Sequence, residues 1–471
     1  MNRFPIEALA RIIEARRERK MELESRVTSD DFTGVSIDSR TIRPGDCFFA
    51  IGGENFDGHD YVNEAFAKGA ICAVVSREIH GCEFSDRPLL KVEDTIKALG
   101  DLAREYRRRA GFKVVAVTGS VGKTMTRHIT YHVLSRHFRV FVSPKNYNNN
   151  IGLPLTLLGA DPEHEIVVAE MGSNHPGEIA YLTCIAQPDI AVVTNIQPAH
   201  LEGFGNLETI AREKLSICEG LGRDGVLIIQ TDAAKWLNDK RLDYRPPIVG
   251  QHVITFGTSD GCDYQARDIV YDGFSSRFTI EGRQISLPVA GPGNIQNALA
   301  SWAVCSRLGL TIDDFAQAVK TMRGIAMRAE PLQIGTLTVL QDCYNANPAS
   351  MRNALQILRN LNPNNARRSV FVCGDMAELG QYAESLHAEL GAAIAEANVQ
   401  VLLAVGKYAD ITVESAKNAT AHELQTECFH DVFSACNNLQ KFVKDYDIIL
   451  VKGSRTAQLE LVSERLAQLF A

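Results

Sequence analysis

The segment VAVTGSVGKT, Val115 to Thr124, combines an apolar run with two glycines, a lysine and a threonine. A buried strand that passes through a glycine-containing loop into a helix directs several backbone N–H groups at one point, which suits a phosphate. Lys123 would reach the β/γ-phosphates of a nucleotide, and the Thr124 hydroxyl would ligate Mg²⁺. The common form of this loop has a glycine five positions before Gly122, where Val117 stands, so an ordinary strand–turn–helix remains an alternative.

Three further side chains that could do chemistry follow or lie near apolar runs. Glu170 ends VVAE, His200 lies just past VVTNI, and Lys214 lies in the helical pattern AREKLSICEGL. Ligands of open parallel sheets bind outside the carboxyl ends of the strands, so Glu170 and His200 are expected to face the loop. The alternatives are a helix-capping carboxylate, a structural histidine and a solvated lysine. If Lys214 is desolvated instead, its pKa falls and its amine becomes available.

The elements that must position these residues alternate regularly from Lys113 onwards. Apolar strand-like runs and helical patterns of this length predict a doubly wound, largely parallel sheet. The strand-like runs are KVVAVTG, RVFVSP, EIVVAEMG, DIAVVTNI and DGVLIIQ, and the helical patterns are GKTMTRHITYHVLSRH, PLTLLG, GEIAYLTCIA and LETIAREKLSICEGL. Between about residues 248 and 287, VITFG and the alternating IVYDGFSSRFTIEGRQISL predict antiparallel additions.

The chain is long enough for three domains, all of α/β class. Residues 1–90, with short strands and one helical pattern, are predicted to form a small mixed αβ domain. Residues 91–327 form the central doubly wound, mostly parallel sheet with its phosphate loop. Residues 328–471 contain a second αβ series, LTVLQDCY to DIILVKGSR, and are predicted to form a C-terminal Rossmann-like αβ domain.

Composition excludes several classes of function. The net charge of −8 provides no general attraction to nucleic acid or to an anionic membrane, so neither is an expected partner. No apolar stretch is long enough to span a membrane, and the N-terminus lacks the apolar core of a signal peptide. The cysteines are odd in number, eleven, and form no CxxC pair, which is typical of reduced thiols in the cytoplasm.

Several segments resemble the Mur ligase family, the cytoplasmic ATP-dependent amide ligases that build the peptidoglycan stem peptide. The resemblance rests on VTGSVGKT, NYNNNIGLPLTLL, VAEMGSNHPGEI, TNIQPAHLEGFG and a lysine fourteen residues after His200, and it covers the chain beyond the first thirty residues or so. It implies that the short TGxxGKT loop is intact and binds ATP, through Thr118, Gly119, Ser120, Val121, Gly122, Lys123 and Thr124. It implies catalytic roles for Lys123, Glu170, His200 and Lys214.

The same resemblance implies two Mg²⁺ ions, held by Thr124, Glu170, His200 and a carbamylated Lys214. GPGNIQNALA resembles the family's adenine segment, with Asn294 and Asn297 in place and Gly293 where the family has histidine. Further ATP contacts are implied for Arg328, at the start of the third domain, and for Asp342, at the ribose.

Two segments narrow the resemblance within the family. LQDCYNANPASM and VCGDMAELG are similar to the last ligase of the pathway, which adds D-alanyl-D-alanine to UDP-N-acetylmuramoyl-tripeptide, and the D-N-P-R motif of the preceding ligase is missing. SIDSRTIRPGDCFFAIGGENFDGHD resembles the UDP-binding module of the last two ligases. The implied substrate contacts are Ser39, Arg40, His59, Tyr344, Asn345 and Asn347.

The resemblance therefore implies a monomeric ligase that works through an acyl phosphate. Its domains would close around the substrates, with hinges near residues 85–92 and 325–330. The alternatives are another amide ligase of the superfamily, either the enzyme that adds the third amino acid or one like folylpolyglutamate synthetase, and a nucleotide-binding scaffold without turnover. The UDP-type module argues against a folate ligase, and the intact catalytic set argues against a scaffold.

Overall fold

The structure is a computed structural model that describes residues 3–13, 16–17, 31–84, 87–144, 146–247 and 252–470. The N-terminal part contains a five-stranded sheet of order β2-β7-β6-β5-β4, in which β4 to β7 are parallel and β2 is antiparallel to β7; β1 and β3 form a separate antiparallel pair. Its elements are β1 (Phe4–Pro5), α1 (Ile6–Ile12), β2 (Arg16–Arg17), β3 (Asp31–Phe32), β4 (Gly34–Ser36), β5 (Asp46–Phe49), α2 (Val62–Ala67), β6 (Cys72–Val75) and β7 (Leu89–Lys91). Ser85 and Asp86 of the first predicted hinge lie outside the described residues.

The central part is built on a seven-stranded parallel sheet of order β14-β13-β12-β11-β8-β10-β9. Its elements are α3 (Thr95–Ala110), β8 (Lys113–Thr118), α4 (Lys123–Leu134), β9 (Val140–Val142), α5 (Gly152–Gly159), β10 (Ile166–Glu170), α6 (Glu178–Ala186), β11 (Ile190–Val193), α7 (Leu201–Phe204), α8 (Leu207–Leu215), β12 (Val226–Gln230), α9 (Thr231–Ala234), β13 (Val253–Gly257) and β14 (Tyr264–Gln265). Helices cover both faces of this sheet, which is why its central strands are continuous apolar runs. β9 and β10 lie on one side of β8, and β11, which follows β10 along the chain, lies on the other side. The crevice between the ends of β8 and β11 is therefore the switch point where α/β proteins bind ligands.

A three-stranded antiparallel sheet, β15-β16-β17, and two helices complete the central part. These elements are β15 (Arg267–Asp272), β16 (Ser275–Ile280), β17 (Arg283–Leu287), α10 (Pro292–Arg307) and α11 (Ile312–Val319). The prediction of antiparallel additions is confirmed for this sheet but wrong for VITFG, because β13 lies parallel to β12 in the main sheet. The long connection through α9 lets the chain cross over and return in the same direction, as parallel pairing requires.

The C-terminal part is a six-stranded sheet of order β18-β19-β23-β20-β21-β22, in which only the edge strand β18 is antiparallel to its neighbour. Its elements are β18 (Glu330–Ile334), β19 (Leu337–Gln341), α12 (Pro348–Leu361), β20 (Ser369–Gly374), α13 (Ala383–Glu396), β21 (Val401–Val405), α14 (Ala409–Ala419), β22 (Gln425–Phe429), α15 (Val432–Phe442), β23 (Ile448–Lys452) and α16 (Glu460–Phe470). The predicted α/β class with three sheet-based parts is confirmed. The limits 1–90, 91–327 and 328–471 stay a prediction.

Apolar contacts hold the parts against one another. One core contains Phe49 and Leu90 of the N-terminal sheet together with Leu99 of α3 and Leu153 of α5. A second core, inside the C-terminal part, includes Ala290 from the segment before α10. The central part therefore packs against both neighbouring parts.

Candidate active site

The phosphate loop between β8 and α4 is shaped by two glycines that no other residue can replace without a clash. Gly119 and Gly122 have φ values of 140° and 87°, a region that favours glycine. A Cβ on Gly119 would lie 2.0 Å from Thr194 Oγ1, and one on Gly122 would lie 2.2 Å from Asn297 Oδ1. The loop therefore packs directly against the end of β11 on one side and against α10 on the other.

Hydrogen bonds from the segment after β11 hold the loop in place. Asn195 Oδ1 accepts from the Val121 N–H at 3.0 Å, and Asn195 Nδ2 donates to the Val121 carbonyl at 2.9 Å. Ser120 Oγ donates to the Gln197 carbonyl at 2.7 Å. The Val121 N–H, predicted among the ATP contacts, is thus engaged by Asn195. The sequence analysis missed Asn195 and Gln197, although both stand in the motif TNIQPAH.

Two loop residues with predicted ATP contacts also have protein partners. Thr118 Oγ1 donates to the Met171 carbonyl at 2.9 Å, which ties the end of β8 to the residue after β10. Lys123 Nζ donates to the Gly119 carbonyl at 2.7 Å, so its side chain is folded across its own loop. Burial lowers the pKa of Lys123, Glu170 opposes this shift, and Arg328 adds to it. Lys123, Glu170 and Arg328 are therefore close enough to influence one another, although they come from three distant segments.

Glu170 presents a buried carboxylate at the end of β10, and only 3% of the residue is exposed. Its Oε1 accepts from Asn148 Nδ2 at 3.0 Å, and its Oε2 lies 3.5 Å from Arg127 Nη1. Among the described residues, no donor forms a hydrogen bond to Oε2. A buried carboxylate oxygen in this condition fits a cation ligand. Arg127 was not predicted, although its position four residues after Lys123 places both on one face of α4.

Lys214 is the most deeply buried of the predicted catalytic residues, with 1% of its surface exposed. Its Nζ donates to Ser173 Oγ at 2.7 Å and lies 5.4 Å from the centre of the Phe204 ring. Burial, together with the nearby charge of Lys123, lowers the pKa of Lys214 to about 7, against the opposing effect of Glu213. This lowered pKa favours the neutral amine, which is the form that adds to CO₂.

The carboxylate of Glu213, the neighbour of Lys214, accepts hydrogen bonds from the backbone at the start of α6. Its Oε2 accepts from the Gly177 N–H at 2.7 Å and its Oε1 accepts from the Ile179 N–H at 2.8 Å. These bonds satisfy the N-terminus of α6. Lys214 therefore has no ion-pair partner among the described residues.

His200 lies immediately before α7 in the left-handed conformation, with φ 51°. Its Nδ1 is 2.5 Å from Oε2 of Glu378, a residue of the C-terminal part, and 20% of its side chain is exposed. The close contact with His200 keeps the pKa of Glu378 below its usual value. Glu378 lies in the motif VCGDMAELG, but no role was predicted for it.

The described residues contain no group of three or more His, Cys, Asp or Glu side chains that could hold a metal ion by themselves. The two predicted Mg²⁺ ions therefore stay a prediction. Of the predicted metal ligands, only Glu170 and His200 are of these residue types. The other predicted ligands would be the Thr124 hydroxyl, a carbamate on Lys214 and the nucleotide phosphates.

The predicted adenine segment at the start of α10 is buried and internally bonded. Asn297 Oδ1 accepts from Thr126 Oγ1 at 3.2 Å, and Asn294 Nδ2 donates to the Ala290 carbonyl at 2.7 Å. The two asparagines also bond to each other at 3.3 Å. They fix α10 against α4, directly behind the loop.

Gly293, where the family has histidine, makes a contact that a side chain would block. Its N–H donates to Asn353 Oδ1 on α12 at 2.9 Å, and a Cβ there would lie 2.9 Å from the same oxygen. The amide of Asn353 therefore occupies the space beside Gly293, and it joins the central and C-terminal parts.

The segment around Arg328 is held by buried charges. The Arg328 guanidinium lies 4.2 Å from the centre of the Tyr344 ring. Asp342 Oδ1 accepts from the Ala329 N–H at 3.1 Å, and Asp342 Oδ2 lies 2.7 Å from Nζ of Lys452, which is 1% exposed. Asp342, predicted at the ribose, thus anchors the residue after Arg328. Lys452 was missed; its only sequence signal is a lysine at the end of the apolar run DIILVK.

Two of the predicted substrate contacts near α12 already form hydrogen bonds within the protein. Asn347 and Ser350 form a reciprocal cap at the start of α12, with the Ser350 N–H donating to Asn347 Oδ1 at 2.9 Å. Asn345 Oδ1 accepts from the Ala346 N–H at 2.8 Å, and the Asn345 carbonyl accepts from Lys452 Nζ at 3.0 Å.

The predicted UDP contacts differ in their exposure and in whether their polar atoms are free to bind a substrate. Arg40 is 82% exposed at the side chain and pairs with Asp38 at 2.8 Å, so its guanidinium faces water. Ser39 is buried next to it. His59 Nδ1 lies 2.5 Å from Asp57 Oδ1, and its Nε2 accepts from the Ser76 N–H at 2.9 Å. Both ring nitrogens of His59 are engaged within the N-terminal part, so His59 supports the segment rather than presenting a free nitrogen.

Three models of one family match this chain in order. The "Mur ligase family, catalytic domain" matches residues 31–107, the "Mur ligase middle domain" matches residues 117–305, and the "Mur ligase, glutamate ligase domain" matches residues 327–455. The chain therefore belongs to the Mur ligase family, and the predicted family is confirmed.

Within this family, the chain is similar to the UDP-N-acetylmuramoyl-tripeptide--D-alanyl-D-alanine ligase of Escherichia coli K12, with 35% identity over 92% of this chain and 93% of that protein. Its structure is similar to MurF from Acinetobacter baumannii, with a TM-score of 0.87, 30% identity and 99% of each chain covered. It is also similar to MurF ligase from Thermotoga maritima in complex with ADP, with a TM-score of 0.80 and 29% identity over 92% of this chain and 97% of that one. Among the described residues, no helix is long and apolar enough to cross a membrane.

Proposed function

We propose that this chain is an ATP-dependent amide ligase that joins D-alanyl-D-alanine to UDP-N-acetylmuramoyl-tripeptide and releases ADP and phosphate. The observation that carries the proposal is the position of Lys214, a desolvated amine close enough to Lys123 of the phosphate loop for the two charges to interact. A loop that only binds a nucleotide has no need of such an amine. Similarity over nearly the whole length to ligases of this name supports the choice of substrates.

The proposed reaction has two steps. A carboxylate oxygen of the tripeptide attacks the γ-phosphorus of ATP, and the bond from that phosphorus to the β,γ-bridging oxygen breaks, which gives an acyl phosphate and ADP. The amine of D-alanyl-D-alanine then attacks the acyl carbon, loses a proton, and displaces phosphate. Because a carboxylate and a triphosphate repel each other, Lys123 and Arg328 have the task of holding them together.

Magnesium is proposed to bind among Thr124, Glu170, His200 and a carbamate on Lys214. The buried Oε2 of Glu170, which accepts no hydrogen bond from the described residues, supports this assignment. Carbamylation replaces a cation with an anion, which changes Lys214 from a repulsive group into a ligand. When bound, the metal would neutralise phosphate charge; two ions are expected.

The other parts of the chain are proposed to bind the ends of the substrates. The exposed guanidinium of Arg40 is the N-terminal group most able to reach a diphosphate, once it leaves Asp38. Tyr344, whose ring lies 4.2 Å from the Arg328 guanidinium, is proposed to line the dipeptide site together with Asn345 and Asn347. Closure of the domains would exclude water, which otherwise hydrolyses an acyl phosphate.

The eleven cysteines are all free thiols, which supports the proposal that the enzyme works in the reducing cytoplasm. We propose that it acts as a monomer and without nucleic-acid or membrane partners, in agreement with its net charge of −8.

The decisive experiment measures product by mass spectrometry in mixtures of ATP, Mg²⁺, a UDP-muramoyl acceptor and an amine. UDP-N-acetylmuramoyl-tripeptide with D-alanyl-D-alanine is expected to give the pentapeptide. A UDP-dipeptide with lysine or diaminopimelate, and a folate with glutamate, are expected to give nothing. Ligation of either control pair would favour the corresponding alternative ligase, and ATP hydrolysis without any ligation product would refute the proposal. Tripeptides with L-lysine and with meso-diaminopimelate, compared side by side, would identify the third residue.

A further inference from the structure

Glu378 lies on the loop 376–380 after β20, and it is the C-terminal residue that reaches His200. The contact joins Oε2 of Glu378 to Nδ1 of His200 at 2.5 Å, an ion-pair contact whose geometry is not that of a hydrogen bond. It is supported by a hydrogen bond between the same segments, because the Glu202 N–H donates to the Glu378 carbonyl at 3.1 Å. The loop therefore contacts α7 through both a side chain and the backbone.

The approach of the two segments is close. Gly380 has a φ of 55°, and a Cβ on it would lie 3.2 Å from the Cα of Glu202. His200 and Glu378 themselves have φ values of 51° and 60°, the left-handed region that is unfavourable for a residue with a side chain. Both unfavourable conformations occur at the two residues whose side chains meet. Such strain persists only where surrounding contacts compensate for it.

The loop moves with the C-terminal part because it is bonded firmly within that part. Asp375 accepts from the backbone N–H groups of Lys407 and Tyr408, at 2.7 and 3.1 Å. The Met376 N–H donates to His387 Nε2 at 3.0 Å, and the Ala377 N–H donates to Ser454 Oγ at 2.7 Å. Glu378 therefore reaches His200 only while the C-terminal part is docked on the central part.

A carboxylate on Nδ1 determines what the other nitrogen of an imidazole can do. Once a rotation of the ring points Nδ1–H at the carboxylate, Nε2 keeps its lone pair and the ring is fixed in orientation. His200 then offers Nε2 to a ligand, which is the form that a metal or a polar substrate group requires. Without this partner, the ring would be free to rotate and to exchange tautomers.

We propose that Glu378 is a positioning residue that fixes the tautomer and orientation of His200, so that docking of the C-terminal domain completes the active site. The catalytic consequence rests on the proposed ligase function. The effect on the imidazole does not, and it can be measured without turnover.

The test uses Glu378→Gln, Glu378→Ala and Glu378→Asp in the full chain, with Glu384→Gln as a matched control. Glu384 is an exposed glutamate in the first turn of α13 of the same part. The ring nitrogens are observed by NMR after selective ¹⁵N-histidine labelling, and the His200 signals are assigned by their loss in His200→Gln. Wild type is expected to show a protonated Nδ1 and an unprotonated Nε2 on His200. Glu378→Ala is expected to give averaged tautomer shifts, and the control is expected to match wild type.

Measurements of kcat and KM then test whether Glu378 acts through His200. Loss of a carboxylate that orients an active-site histidine typically costs about 10–100-fold in activity, so kcat of Glu378→Ala is expected to fall by that factor with little change in the KM for ATP. In a His200→Ala background the same change is expected to cost less than about twofold, because additivity fails for residues that act as one unit. Glu378→Asp, which keeps the carboxylate, is expected to recover part of the activity.

Unchanged His200 shifts in Glu378→Ala would overturn the inference, whatever the kinetics. A loss of kcat of equal size in both backgrounds would also overturn it, since Glu378 would then act independently of His200. If no variant or wild type ligates the proposed substrates while the NMR shifts change as expected, the proposed function fails and the positioning role stands.

Discussion

The amine of Lys214 lies beside Ser173 and Phe204, away from water and within electrostatic reach of Lys123. The sequence left its role open, because a lysine on a helix is usually solvated and its burial depends on how α8 packs. The roles of Arg127, Glu378 and Lys452 could not be predicted from the sequence either, because their partners are far away along the chain. Lys123, Thr124 and Glu170 were predictable because a local pattern, a loop or a strand end, determines where they lie.

Replacement of Lys214 by alanine is expected to abolish turnover, because no other group can supply the proposed carbamate. Small carboxylates or bicarbonate are expected to restore part of the activity by occupying the space. Phosphate release measured with and without acetate checks this, with the exposed Lys235→Ala as a control. Full activity of Lys214→Ala without any additive would contradict the role.

The lowered pKa of Lys214 also predicts how stability depends on pH in CO₂-free buffer. The folded-state pKa is about 7, whereas the unfolded value is about 10.4. Between these values the unfolded chain binds the additional proton, so this residue makes the free energy of unfolding rise as the pH increases from about 7 to about 10.4. Urea unfolding of wild type and Lys214→Met across this range should show a shallower pH dependence in the variant. Identical slopes would mean that the folded-state pKa is not lowered.

At the scale of elements, the apolar runs predicted five strands of the central sheet, β8 to β12, and their order along the chain. Strands that are buried on both faces are continuous apolar runs, which are easy to recognise in a sequence. The loop that follows β8 is recognisable by its glycines, lysine and threonine. The direction of β13 was predicted wrongly, since VITFG alone contains no information on the path of the connection before it. The hydrogen bonds between the loop and Asn195 could not be predicted either, because predicting them requires knowledge of how β8 pairs with β11.

The two helix-starting glycines Gly122 and Gly177 form a matched pair for testing the loop. Their φ values are 87° and 92°, but a Cβ would meet Asn297 Oδ1 at 2.2 Å in the first case and nothing within 4 Å in the second. Both alanine variants are expected to lose about 1–2 kcal/mol of stability from backbone strain. Only Gly122→Ala is expected also to lose ADP affinity, by at least tenfold in calorimetric titration. Equal ADP affinity for both variants would contradict the account of the loop.

At the scale of the whole molecule, the N-terminal and C-terminal sheet-based parts both contact the central part. The sequence predicted three such parts because each has its own strand–helix pattern. The contacts between the central and C-terminal parts were not predictable, since Gly293–Asn353 and His200–Glu378 join residues that no local pattern connects.

Binding of ATP and UDP-tripeptide is expected to make the molecule more compact, because both substrates are proposed to contact more than one part. Asn353→Ala removes the bond to the Gly293 N–H, worth about 1 kcal/mol. It is expected to increase the radius of gyration of the free protein, whereas Gln356→Ala, exposed on the same helix, is not. Small-angle X-ray scattering checks both expectations. Superimposable wild-type profiles with and without ligands would contradict domain closure.

The central claim is that the phosphate loop serves to activate a carboxylate. It is tested most directly by labelling the terminal carboxylate of the UDP-tripeptide with ¹⁸O and measuring the phosphate released during ligation by mass spectrometry. An acyl phosphate passes one carboxylate oxygen to the phosphate that leaves, so the account predicts one ¹⁸O atom in each phosphate. Unlabelled phosphate, or release of AMP and pyrophosphate instead, would contradict it.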